Sequence, residues 1–264
     1  MSDTVDNTET PFLQELLNYL PIEPTDEEDI LNYIKNITRL ININYKYDQY
    51  QFAYFGIHLL YMTYIYCTVW KISQIEPDRY KDAIIFARAY SGREKDLKIE
   101  DTNSVFVYSL MPEKDIAKLF KVINLDKSQI SFVSDLVDAR NEMTHASGKL
   151  EVLTEDIFYA KASNVINSMK NIHRCMDAPV RKWYGQVLID FCEGKYEGYD
   201  NPSDVIFEQM IQSFKLSVNE LLVCNEMSIR YLIAEHRNYQ KKLNLFKKTM
   251  KKYCKEKGYV RVDE

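Results

Sequence analysis

Apolar residues recur at helical spacing over most of the chain, and the polar positions that interrupt them fall where helices would start and stop. After a polar, acidic opening (MSDTVDNTETPF) that reads as a frayed tail, "PTDEEDILNYIKNITRLI" offers Thr25 or Asp26 as an N-cap ahead of a helix. A long tyrosine-rich helix is predicted from about Tyr45 to Ile75. "EPDRYKDAIIFARAYSG" predicts a shorter helix, with Pro77 near its start and Gly92 past its end. Residues 92–112 are the least helical stretch and read as a loop with a short extended piece.

"PEKDIAKLFKVI" predicts another short helix. The helix after it covers 126–147, with Asp126 as N-cap, Gln129 in the capping-box position and Gly148 as the stop. From Thr154 a helix is expected to run to Pro179, followed by "VRKWYGQVLIDFCEG", "PSDVIFEQMIQSF" and a long helix from near Ser217 or Asn225 to Lys257. The pattern contains no internal repeat and predicts an all-α protein. "EGKYEGYDNP", 193–202, is the best boundary between a helical core (1–195) and a C-terminal helical extension with a basic last helix (196–264).

Composition sharpens this picture. With 264 residues, 46% of them hydrophobic, and only 7 Gly and 7 Pro, the chain has a sizeable core and few helix breakers. A net charge of -5 argues against nucleic-acid binding by bulk charge alone and leaves a local basic face open. The polar N-terminus is not a signal peptide, and five scattered cysteines without a C-x-x-C pair read as reduced thiols of a cytoplasmic protein. The uncharged stretch 52–70 nears the length of a membrane span, but Tyr54, Tyr61, Tyr64, Tyr66 and His58 would set polar atoms in hydrocarbon. It is expected to be a buried core helix, with His58 a hydrogen-bonded core histidine and no membrane partner. His173 and Arg174 read as surface or capping residues.

The chemistry-bearing stretch is "DLVDARNEMTHASG". On one helix Asn141 and His145 share a face, and Arg140 and His145 are about 140° apart, close enough for a long arginine to converge with the imidazole in a groove. The negative end of the helix dipole favours a protonated His145, while Arg140 would provide the fixed cation that a phosphate needs there. Such a set suits RNA cleavage with no cofactor and no metal. A histidine moves the proton of the 2'-hydroxyl or of the leaving 5'-oxygen, and an arginine stabilises the phosphorane. The structural alternative is a surface arginine and a helix-end histidine satisfying a carbonyl.

"RNEMTH" (Arg140, Asn141, His145) resembles the R-x(4–6)-H signature of HEPN domains (higher eukaryotes and prokaryotes nucleotide-binding), in the form with a polar residue after the arginine. The resemblance covers the motif helix and, less specifically, the aromatic helix holding His58. It implies a HEPN-like helical bundle in which two protomers form one composite ribonuclease site. It also implies metal-independent cleavage to a 2',3'-cyclic phosphate, in antiviral defence or growth arrest, and leaves room for a regulatory protein partner. A second match, Arg230 and His236 in "RYLIAEH", has Tyr231 in place of the polar residue and is expected mid-helix.

The basic run "HRNYQKKLNLFKKTMKKYCKEKGY" reads as an amphipathic helix packed on the bundle through Tyr239, Leu243, Phe246, Met250 and Tyr253, or as an RNA-backbone contact surface. Two rivals to the ribonuclease remain: a non-catalytic adaptor or dimerisation protein, and a DNA-binding regulator using "KLSVNELLVCNEMSIRYLIAEH" as a helix-turn-helix.

Overall fold

A helix that is apolar on nearly every side is stable in water only when other elements enclose it. Helix α3 (Tyr50–Ile75) is such a helix, and its neighbours bury it along most of its length. In this computed structural model the described residues are 10, 12–22, 28–88, 104–144 and 152–259. They are predominantly helical, with no β-strand among them and one isolated bridge between Pro21 and Ser217. The all-α expectation therefore holds. Among the described residues α3 is also the one helix long and apolar enough to cross a membrane.

Short helix α1 (Leu13–Leu17) leads to α2 (Glu28–Lys46), which forms an antiparallel hairpin with α3. The turn between them is closed by Gln49 N–H donating to the Asn44 carbonyl, with Asp48 at φ 57°. The long helix therefore begins at Tyr50 and not near Tyr45, because that turn interrupts the apolar run. Gly56 allows the close approach: a Cβ there would sit 2.5 Å from Ile41 Cγ1.

After α4 (Pro77–Arg88), a 3-10 helix (Val105–Leu110) stands where an extended piece was expected. Then come α5 (Glu113–Lys118), a 3-10 turn (Leu119–Ile123) and α6 (Lys127–Thr144). Asp126 caps α6 as expected, accepting Gln129 N–H at 2.8 Å. The expected signals at Thr25, Asp26, Gly92 and Gly148 lie outside the described residues.

Helix α7 (Glu155–Glu193) corrects a second expectation: Pro179 lies inside it and does not end it. Proline removes one helical donor and crowds the preceding turn. Here Ile172, Met176, Val180, Tyr184 and Leu188 stay buried through that point, so continuous packing offsets the local cost. Helix α7 stops at Gly194 (φ +75°), where Lys195 N–H donates to the Asp190 carbonyl in a left-handed cap. It runs parallel to α3 in a regular register, with Lys161 over the Tyr54 ring, Tyr61 bonded to Ser168 at 2.8 Å and Lys182 to Glu76 at 2.9 Å.

The remaining chain wraps the far end of this pair. Helix α8 (Pro202–Asp204) continues as a π-helix (Val205–Ser213), and Phe214 stacks on Trp183 at 3.7 Å. The single long C-terminal helix expected from the sequence is instead α9 (Val218–Glu226), α10 (Arg230–Glu235), a 3-10 turn (Arg237–Tyr239) and α11 (Gln240–Glu256). The first break is at Met227, extended (φ -57°, ψ 127°) and buried with Ile229, so the apolar spacing that suggested one helix is spent in a corner. Buried residues from Leu13 to Cys254 form one continuous apolar cluster.

One ion pair sits within it. Lys71 of α3 donates to Glu220 of α9, and the residues are 1% and 4% exposed. Glu220 also closes a capping box with Ser217. Burial pushes the Glu220 carboxyl up, but Lys71 and the Ser217 N–H outweigh it and hold it below the ordinary carboxylate value. A depressed folded pKa stabilises above the unfolded value of about 4.3, and that stability fades as pH falls through the folded one. Lys71→Met, which strands the carboxylate, is expected to cost about 3–5 kcal/mol by urea denaturation at pH 7, whereas Lys71→Met/Glu220→Met recovers most of it. Equal losses in both variants would contradict a paired buried charge.

Candidate functional site at the end of α6

The last turns of α6 face α5 and α3. Arg140, on α6, donates through its guanidinium to Glu113 at the start of α5, with side-chain exposures of 22% and 23%. Behind Glu113 lies His58 of α3, 1% exposed, its Nε2 3.8 Å from the same carboxylate oxygen. Three elements that are distant in sequence thus bring a cation, an anion and an imidazole together. Exposed Lys114 pairs with Asp138 at 2.6 Å and fastens α5 alongside α6.

His58 is buried as expected, but among the described residues neither ring nitrogen has a hydrogen-bond partner. A polar ring buried without partners carries a desolvation cost that the rest of the fold must offset. Burial alone would raise the Glu113 carboxyl, yet His58 and Arg140 together bring it below its ordinary value. Glu113 is therefore a carboxylate near neutral pH, and its hold on Arg140 weakens only as pH falls through that lowered value. Tyr66, eight residues beyond His58 on α3, has its hydroxyl pushed well up by burial, with Glu113 adding to the effect.

Of the expected site residues, Arg140 is half-buried in this cluster and Asn141 is half-buried beside it on α6. His145 lies outside the described residues. Glu113 was not singled out from the sequence, where it is one acid in "MPEKD" with nothing local to tie it to an arginine 27 positions on. The second match is corrected in its placement. Arg230 opens the six-residue α10, and His236 follows its end, stacked on Tyr239 at 5.9 Å, so the two are not mid-helix.

His173 is half-buried and packs edge-on to Tyr19 at 5.6 Å, and Arg174 is exposed. In the stretch weighed as a helix-turn-helix, Leu221, Leu222, Val223 and Cys224 of α9 are buried. Among the described residues no group of three or more His, Cys, Asp or Glu is placed to hold a metal ion.

Comparison with known proteins finds no matching family model, no similar curated protein and no similar solved structure.

The Arg140–Glu113 contact predicts a coupling energy. In a double-mutant cycle with Glu113→Ala and Arg140→Ala, each single change strands a half-buried charge, so the pair is expected to show roughly 1.5–3 kcal/mol of interaction. Additive losses in urea denaturation would place the two side chains apart in solution.

Proposed function

We propose that the chain is a HEPN-like, metal-independent endoribonuclease that cleaves RNA through 2'-hydroxyl attack as a cytoplasmic homodimer, in antiviral defence or growth arrest. The observation that carries this reading is a half-buried arginine held by a carboxylate at the end of the helix whose sequence continues into His145. A guanidinium on a flexible side chain loses rotamer freedom when it meets a phosphate. Glu113 removes part of that cost by orienting it beforehand.

In the reaction one imidazole accepts the 2'-hydroxyl proton as O2' bonds to phosphorus. The P–O5' bond then breaks, and a second acid protonates the leaving oxygen, leaving a 2',3'-cyclic phosphate and a 5'-hydroxyl. Arg140 stabilises the charge gathered on the phosphorane, and Asn141 orients His145 or holds a phosphate oxygen. One chain provides one His145, so acid and base together call for the second copy that a two-fold interface brings. Exposed Tyr47, Val152 and Ile157 support an apolar contact at this end of the bundle, where the Tyr45 hydroxyl reaches Glu155 at 2.9 Å.

The non-catalytic adaptor has one observation in its favour: Arg140 already has its counter-charge in Glu113, as a purely structural arginine would. Activity separates the two. His145→Ala and Arg140→Ala are each expected to lower RNA cleavage by about 10²-fold or more with helical content kept, and wild-type cleavage should persist in EDTA. Arg140→Lys retains the pairing charge without the fork and should keep the fold while losing most of the rate. Unchanged rates in both alanine variants, or cleavage restored only by magnesium, would sink the reading.

The composite site predicts a mixing result. Heterodimers of His145→Ala and Arg140→Ala subunits hold one intact histidine and one intact arginine on opposite chains, and should show partial activity in gel-based cleavage assays. A monomer with full specific activity would rule the shared site out.

A further inference from the structure

Helix α11 carries seven lysines and one glutamate in a chain of net charge -5, and six of those lysines fall into two kinds, with exposed Lys251 outside both. Leu243, Phe246, Met250 and Cys254 form its buried stripe. Flanking that stripe, Lys242 donates to the Cys192 carbonyl at the end of α7 (2.9 Å). Lys247 donates to the carbonyls of Asn225 and Met227 at the end of α9, at 2.8 Å for Met227. These two neutralise helix C-termini.

The other kind points away. Lys241, Lys248, Lys252 and Lys255 fall within about 60° on the face opposite the buried stripe and are exposed. Only Lys252 has a carboxylate near among the described residues, Glu256 at 3.6 Å. The row spans about 21 Å at 1.5 Å per residue.

We infer that this lysine row is a sequence-independent track for the phosphate backbone of single-stranded RNA. A straight line of mutually repelling cations on an otherwise acidic protein is complementary to a polyphosphate chain, whose bound counterions it would release. A lipid surface fits less well. Amphipathic helices bind membranes by sinking their apolar face, and the apolar face of α11 is already buried in the protein core.

From the register of α3 on α7, the track lies roughly 30–40 Å along α7 from the level of His58 and Arg140. It is a holding surface, away from any bond-breaking chemistry. The choice of RNA as the polyanion rests on the ribonuclease reading; the lysine row itself does not.

The test uses the full-length protein and a labelled 2'-O-methyl oligouridine of about 30 nucleotides, which binds but offers no 2'-hydroxyl for cleavage. Fluorescence anisotropy across a salt series is expected to give a log–log slope near -3 for wild type, about -0.7 for each of four phosphates neutralised. Lys241→Gln/Lys248→Gln/Lys252→Gln/Lys255→Gln should weaken binding at least tenfold at low salt and flatten that slope, with the thermal melt unchanged. The track is overturned if this variant binds as wild type does. It is also overturned if wild type ignores the oligonucleotide and instead takes up vesicles containing anionic phospholipid. Lysine-dependent oligonucleotide binding without any RNA cleavage would uphold the track and remove only the ribonuclease reading. Cleavage of a short RNA by a protein that shows no such binding would do the reverse.

Discussion

A lysine ammonium almost out of reach of water fixes how α9 meets α3. Lys71 sits in the helix that is most apolar all round, where a charge has no solvent to fall back on. Among the described residues its counter-charge is Glu220, and Glu220 is in place only when Ser217 starts α9 beside the end of α3. A register slip of α9 by one residue would leave two buried ions apart. Hydrophobic contacts, which are tolerant of sliding, cannot enforce such a registry; a buried pair can. The pair ties the start of α9 to α3, while the parallel run of α3 on α7 rests on its own contacts, such as Tyr61 with Ser168 and the Tyr64 hydroxyl with the Met169 carbonyl.

Helical periodicity carries most of the fold because nearly every element is an amphipathic or fully buried helix. Asp126 caps α6 where local chemistry says it should, and Ser217 and Gly194 cap the start of α9 and the end of α7. The failures share a cause. Pro179 predicts a stop because its cost is local, whereas the burial of Val180 and Tyr184 that outweighs it belongs to tertiary structure. The corner at Met227 looks helical in sequence because its apolar spacing is helical. Its carbonyls are met by a lysine twenty positions downstream, which no local window includes.

The same limit applies to the candidate site. Arg140 and Asn141 stand out in sequence because a polar pair near the end of an apolar helix, four residues before a rare histidine, is unusual. Glu113 and His58 are joined to Arg140 only by the stacking of α5 and α3 against α6. What was legible was the residue with exposed chemistry; what was hidden was the support behind it. A guanidinium backed by a carboxylate and a buried imidazole is stiffer than an isolated one. That stiffness fits both transition-state binding and plain structural pairing, so kinetics must choose between them.

Lys242 and Lys247 give the C-terminal helix a role as a clasp. Because each serves the carbonyl end of a different helix, shortening the protein before α11 would unfasten α7 and α9 together and open the sockets of Leu243, Phe246 and Met250 to water. The seventeen-residue α11 is thus a keystone, one element that seals two helix ends at once.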